Sequence, residues 1–184
     1  MTRKILFGAA LLSAGLAAPA AAQHVSLEPF ATYGFYGKLP GTNARLEGDW
    51  GVGGRAAVQL TPRWAVFGTA QRTTPQVLGQ LPFGVVVSGG DVTVDHWSAG
   101  LEYSYFPRDA AEGMLPLSLS AGLGQARYED GPTDLALNVG ISGAIQLGPS
   151  LGLRYGLTDY VSRFDGDRGW MSQLFARIGA EISF

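Results

Sequence analysis

The chain has 184 residues, 13 basic and 15 acidic, with a formal net charge of −2, an apolar fraction of 46%, 27 glycines and no cysteine. The missing cysteines exclude a disulfide framework and a lipid-attachment site, and no basic stripe offers itself to nucleic acid. Met1 to Ala22 reads as an export leader. Arg3 and Lys4 are its positive region, and Ile5 to Leu16 form an apolar core. Pro19 breaks that core, and Ala20-Ala21-Ala22 supplies small residues for cleavage before Gln23. A spanning anchor helix would need roughly 20 continuous apolar residues, which Pro19 and Gln23 interrupt. The expectation is a cleaved leader over 1–22 and one domain over 23–184. Without Arg3 and Lys4, 11 basic residues face 15 acidic ones, and the one remaining lysine is Lys38.

Period-two alternation then recurs, with turn chemistry between the runs. The first predicted strand places Val25, Leu27, Pro29, Ala31, Tyr33 and Phe35 on one face. After a loop at 37–45, the second places Leu46, Gly48, Trp50, Val52, Gly54, Ala56, Val58 and Leu60 together, opposite Glu47, Asp49, Arg55 and Gln59. Thr61-Pro62-Arg63 turns into a third strand from Trp64 to about Arg72. A long loop over 73–92 follows. The fourth strand sets Trp97, Ala99, Leu101, Tyr103 and Tyr105 against His96, Ser98, Gly100, Glu102 and Ser104. A turn at 107–114 leads to the fifth, with Leu115, Leu117, Leu119, Ala121 and Leu123. A loop at 128–134 precedes the sixth, with Leu135, Leu137, Val139, Ile141, Gly143 and Ile145. Gly148-Pro149-Ser150 opens the seventh, with Leu151, Leu153, Tyr155 and Leu157, and a loop at 159–170 follows it. The last strand ends with Ile178, Ala180, Ile182 and Phe184 on one face and Arg177, Gly179, Glu181 and Ser183 on the other.

This last segment resembles the terminal signal of bacterial outer-membrane β-barrels. The pattern is a polar residue, Gly two places on, then apolar-x-aromatic, and Arg177, Gly179, Ile182 and Phe184 fill it. The resemblance implies a closing strand that barrel-assembly machinery reads. No stretch after residue 22 is a helical span, so a membrane would be crossed by a closed barrel, the one sheet that leaves no unpaired backbone in lipid. The even count, with strands long enough to cross a tilted path of about 9–11 residues, predicts an all-β, eight-stranded antiparallel up-and-down transmembrane barrel. A soluble ligand-binding barrel would carry charge on its outer face. Here the apolar stripes carry almost none, and Gly and Ser fill the polar faces, as a narrow lumen requires. Over 23–184 the pattern resembles the transmembrane domain of OmpA and OmpX, which implies a Gram-negative-type outer membrane and little about activity. The turns at 61–63, 107–114 and 147–150 would face the periplasm, and the four longer connections the outside. Aromatic belts are expected at the two interfaces: Trp64, Tyr103, Tyr105 and Phe184 below, and Tyr33, Phe35, Trp50, Tyr160 and Trp170 above.

Counting from the strand ends places Glu28, Arg55, Glu102, Arg154, Arg177 and Glu181 in the lower half of the lumen. Buried charges are tolerable there only in pairs, so a polar plug is expected, with a narrow gated ion path as the alternative. His96-Trp97-Ser98 resembles the His-x-Ser element of outer-membrane lipid A deacylases. The alternation, however, sends Trp97 to lipid and the pair inward, and Glu112 lies in a turn at the opposite end. Loop 73–92 is apolar at Val77, Leu78, Leu81, Phe83, Val85, Val86 and Val87, which suits an extended hairpin or a surface for an extracellular partner. Asp165-Gly166-Asp167 and Glu129-Asp130-Gly131 are ordinary turn chemistry, and Gly51-x-Gly53 lies inside a strand. The reading is a monomeric, non-enzymatic barrel in contact with outer-membrane lipid and lipopolysaccharide, with no cofactor and no metal.

Overall fold

The computed structural model describes residues 24–80, 86–105, 117–129, 131–164 and 169–184. The leader over 1–22, the whole turn at 107–114 and the Asp165-Gly166-Asp167 turn lie outside them. Alternating sequence becomes alternating backbone throughout: β1 (Val25–Phe35), β2 (Ala44–Leu46), β3 (Asp49–Gln59), β4 (Trp64–Thr73), β5 (Gln76–Gln80), β6 (Val86–Asp91), β7 (Val94–Ser104), β8 (Leu117–Tyr128), β9 (Thr133–Gln146), β10 (Leu151–Phe164) and β11 (Gly169–Ser183). Eight of these close an antiparallel barrel in the order β1-β11-β10-β9-β8-β7-β4-β3. The predicted all-β, eight-stranded up-and-down barrel is the observed architecture.

The lower end holds the turns at 60–64 and 147–151 and the chain terminus. Phe184 N donates to Val25 O at 2.9 Å, and Ser183 N to Ser150 O at 2.9 Å, so β11 is stitched to both neighbours down to its last residue. Along the barrel's middle the apolar stripes face out: Leu101, Leu119, Leu123, Leu137, Ile141, Leu157 and Ile178 are all exposed. The lumen wall is kept thin by glycine. A Cβ on Gly124 would lie 2.1 Å from Trp97 O, closer than any side chain permits.

The upper end departs from the sequence expectation. The predicted second strand splits at Glu47–Gly48 into β2 and β3, because Glu47 N is drawn to Gln76 O at 2.9 Å. A Cβ on Gly48 would sit 2.7 Å from the Tyr33 hydroxyl, so the break needs glycine's small size. Leu46, expected on the outer face, is turned inward and only 3% exposed. Loop 73–92 forms a hairpin, β5 against β6, which β2 joins as a separate three-stranded sheet. Of its apolar residues, Val77 packs inward, Val86 and Val87 are exposed, and 81–85 lie outside the described residues.

The connections expected at 128–134 and 159–170 are shorter than predicted, because β8, β10 and β11 continue as strands. The reason is an inversion of the alternation. Past the apolar band the outer face takes on polar residues (Asp159, Arg163, Ser172) beside Val161, Trp170 and Leu174, and the inner face takes on large apolar ones (Tyr160, Phe164, Met171, Phe175) beside Ser162 and Gln173. The strands keep their period beyond that band while the chemistry of their two sides changes.

Candidate functional site

The lumen has two storeys. In the lower one Arg55, from β3, stands opposite Glu28 on β1, while Glu102 reaches across from β7. Arg55 Nη2 donates to Glu102 Oε2 at 2.7 Å, and Arg154 Nη2 donates to the same oxygen at 2.5 Å. Arg154 also donates to Ser142 Oγ at 2.8 Å and to Glu181 Oε2 at 3.3 Å. Glu28 is enclosed by Arg55 at 3.8 Å, Arg154 at 3.6 Å and Arg177 at 3.9 Å. All six side chains are buried, so opposite charges meet with little exposure to solvent. Phe67 and Phe30 lie under the Arg55 and Arg177 guanidinium groups, at 5.2 and 5.6 Å, and close its flanks. Below it, at the lower mouth, a pocket of about 80 Å³ is lined in part by Ser26, Gln59, Ser104 and Ser118, and it ends on Glu102 and Arg154.

A neutral layer separates the storeys. Asn138 Nδ2 donates to Ser98 Oγ at 2.7 Å, and the Tyr160 hydroxyl lies 3.4 Å from the same oxygen. His96 Nε2 donates to Gln173 Oε1, Gln173 Nε2 donates to the Tyr128 hydroxyl, and that hydroxyl donates to Met171 Sδ at 3.5 Å. His96 is wedged between Tyr160 and Phe175, with ring centroids 4.9 Å away in both cases. Above this, Leu46, Val94, Ala126, Tyr128, Phe164 and Met171 form an apolar stopper, joined by Tyr36, Leu39, Val77 and Val92 from the upper connections. Tyr36 is hydrogen-bonded to Thr73, and burial raises its phenol well above the ordinary value, so the bond keeps its proton. Among the described residues no cluster of His, Asp and Glu could hold a metal.

The aromatic residues outside the barrel form two groups. Trp64 and Tyr103 meet at 5.0 Å near the lower end, beside exposed Tyr105 and Phe184. Tyr33 contacts both Phe35 at 4.9 Å and Trp50 at 5.3 Å near the upper end, where Trp170 is 73% exposed. Tyr160 does not belong to them. It is 2% exposed and points into the lumen, because Leu157 and Asp159 take the outward positions of β10. Trp97, half-exposed on the outside of β7, adds an aromatic residue that the expected belts lack.

No protein-family model matches the chain, and no curated protein matches it in sequence. Solved structures match its shape. The outer membrane protein OprG from Pseudomonas aeruginosa superposes with a TM-score of 0.68 at 13% identity, over 89% of this chain and 96% of that one. Neisserial surface protein A matches with a TM-score of 0.54 at 10% identity, over 88% and 97% of the two chains. A major outer membrane protein from Thermus thermophilus matches at 0.50 and 19% identity, over 89% and 100%. The chain has the fold of the small outer-membrane barrels.

On an outer-membrane barrel fold the residues of the terminal motif divide by face. Ile182 and Phe184 are exposed on the outer wall, whereas Arg177 turns inward to the charge cluster. Gly179 lets β11 lie close against β1: a Cβ there would sit 2.6 Å from Pro29 O. The His96 and Ser98 side chains both face the lumen, with Trp97 outside between them. They are held by different partners, Gln173 and Asn138, so Ser98 has no base in contact with its hydroxyl. Glu112 lies outside the described residues. The neutral chain from His96 to Met171 was not anticipated from sequence, although the unbroken alternation of β8 and β11 marks Tyr128, Met171 and Gln173 as inward.

Proposed function

We propose that this chain is an integral outer-membrane barrel, exported by the 1–22 leader, whose lumen is closed and whose work is done on its outer surfaces. The observation that carries this is a lumen packed at two levels, with paired charge below and an apolar stopper above. An eight-stranded barrel is only wide enough for side chains to fill it, and here they do. The exposed apolar wall with aromatic groups at both ends supports placement in lipid, as does the shape shared with OprG and Neisserial surface protein A. Assembly would proceed through β11, the closing strand, and the barrel would act as a monomer. Contact with an extracellular partner falls to the β2-β5-β6 sheet, whose β6 strand is exposed along its whole length.

In planar bilayers the purified barrel should give no reproducible unit conductance. A steady unit current lost in Arg55→Ala or Glu102→Ala would replace this reading with a narrow gated pore. The feature favouring that second reading is the lower pocket, which ends on the Glu102–Arg154 pair. A lipid-modifying enzyme has less support, since the Ser98 hydroxyl is engaged by Asn138 rather than by a base.

A further inference from the structure

On the outside of the barrel, where β4, β7 and β8 rise past the apolar band, three charged side chains form one cross-strand row. Arg72 is paired with Asp95, and Asp95 with Arg127. All three point away from the lumen, since Gln71, His96, Ala126 and Tyr128 beside them are buried inside. The next row down is Ala70, Trp97 and Gln125, and Val52 stands opposite Arg72 on β3. Together they shape a shallow outward-facing depression of about 350 Å³, with guanidinium groups on its rim and Val52, Ala70 and Trp97 on its floor.

Asp95 orients this row more than it neutralises it. Arg72 donates from Nε to Oδ1 at 2.6 Å and from Nη2 to Oδ2 at 2.9 Å, a two-pronged contact that fixes the guanidinium plane. That contact uses one edge of the group. Nη1 is left on the far side, and the side chain stays 65% exposed. Arg127 flanks the same carboxylate on the next strand. Glu129 stands above on the connection between β8 and β9, and its carboxylate accepts from Thr93 N at 3.3 Å. Hydrogen bonding to Thr93 holds that carboxyl below its ordinary value, so it stays ionised and guards the water side of the row.

We propose that Arg72 and Arg127 bind a phosphate on the headgroup of an outer-leaflet lipid, whose acyl chains lie over Val52, Ala70 and Trp97. Planar guanidinium donors match phosphate oxygens, and an arginine at a membrane surface strengthens attraction to an anionic headgroup by about fivefold. A free phosphate ion would gain nothing from the apolar floor, and a neutral lipid nothing from the rim. The site rests on the membrane-embedded reading given above.

The test uses the chain refolded into phosphatidylcholine vesicles containing a small fraction of diphosphorylated lipid A, with retention of that lipid read by native mass spectrometry after release. Arg72→Gln and Arg127→Gln should each weaken retention about fivefold. Glu129→Gln should strengthen it, a change of sign that a folding defect cannot produce. Dephosphorylated lipid A and inorganic phosphate should both fail to be retained. Equal retention by the original chain and the double arginine variant would overturn the proposal, as would equal retention of the phosphorylated and dephosphorylated lipids. Failure of every variant, and of the original chain, to insert into vesicles would instead remove the membrane reading beneath it.

Discussion

Replacing Glu102 by Ala should destabilise the folded barrel by about 3–5 kcal/mol, the cost of breaking a buried ion pair by removing one partner. Its Oε2 accepts the two shortest charged contacts of the lower lumen, from Arg55 at 2.7 Å and from Arg154 at 2.5 Å. Without it, three buried arginines share Glu28 and Glu181, and Glu28 approaches none of them closer than 3.6 Å. Glu28→Gln should cost less, because Glu28 attracts through charge at longer range and no hydrogen bond in its direct shell is lost. Urea unfolding followed by tryptophan fluorescence, in vesicles, reads the difference as a lowered midpoint. A Glu102→Ala midpoint equal to the original would mean that water enters the cluster and screens its charges.

The second large effect belongs to the outer wall. Ile141, halfway along β9 between Leu119 and Leu157, is exposed on the apolar face. An arginine there should cost about 2–4 kcal/mol, as a lipid-facing charge near the bilayer midplane does. Leu135 lies on the same face of β9, closer to its upper end, and is more exposed still. Leu135→Arg should cost about 0–1 kcal/mol, because depth in lipid and not exposure sets the penalty. In a soluble barrel the same two substitutions would place charge in water and cost little at either position. The contrast between the two positions, measured by the same unfolding assay, therefore separates lipid from water as the solvent of this face.

The alternation that carries the fold can be read from the chain because every barrel strand keeps it. Two expectations nevertheless fail at the upper end. An aromatic near a strand's upper end suggests the outer belt for Tyr160, yet Leu157 fixes the parity of β10, and Tyr160 falls inside. Leu46 shares the parity of Trp50 on the expected outer face, yet the break at Glu47–Gly48 turns it to the stopper. Both residues sit above the apolar band, where the inside of the barrel is the apolar side. The rule that apolar means outward holds only within the apolar band.

The charged lumen residues follow from counting along strands, but their partners do not. Glu102 meets Arg55 and Arg154 across the barrel, from strands that are not its neighbours. Such a pairing depends on strand order around the closed sheet and on how far each strand is displaced along the next. A single strand's sequence carries neither quantity. The His96–Gln173–Tyr128 chain has the same origin, since Gln173 on β11 reaches the neighbouring strands β7 and β8 only across the closed barrel. The row of Arg72, Asp95 and Arg127 differs, because it is a register of adjacent strands. Its residues lie near strand ends whose sequence resembles loops, so the chain alone does not mark them as a row.

The central claim is a closed barrel that sits in a membrane, and gel mobility of the outer-membrane fraction tests it most directly. Unboiled in detergent, the folded chain should stay compact and migrate ahead of the boiled sample; Ile141→Arg should weaken that shift. A single band, recovered from the soluble fraction and unchanged by boiling, would contradict the account.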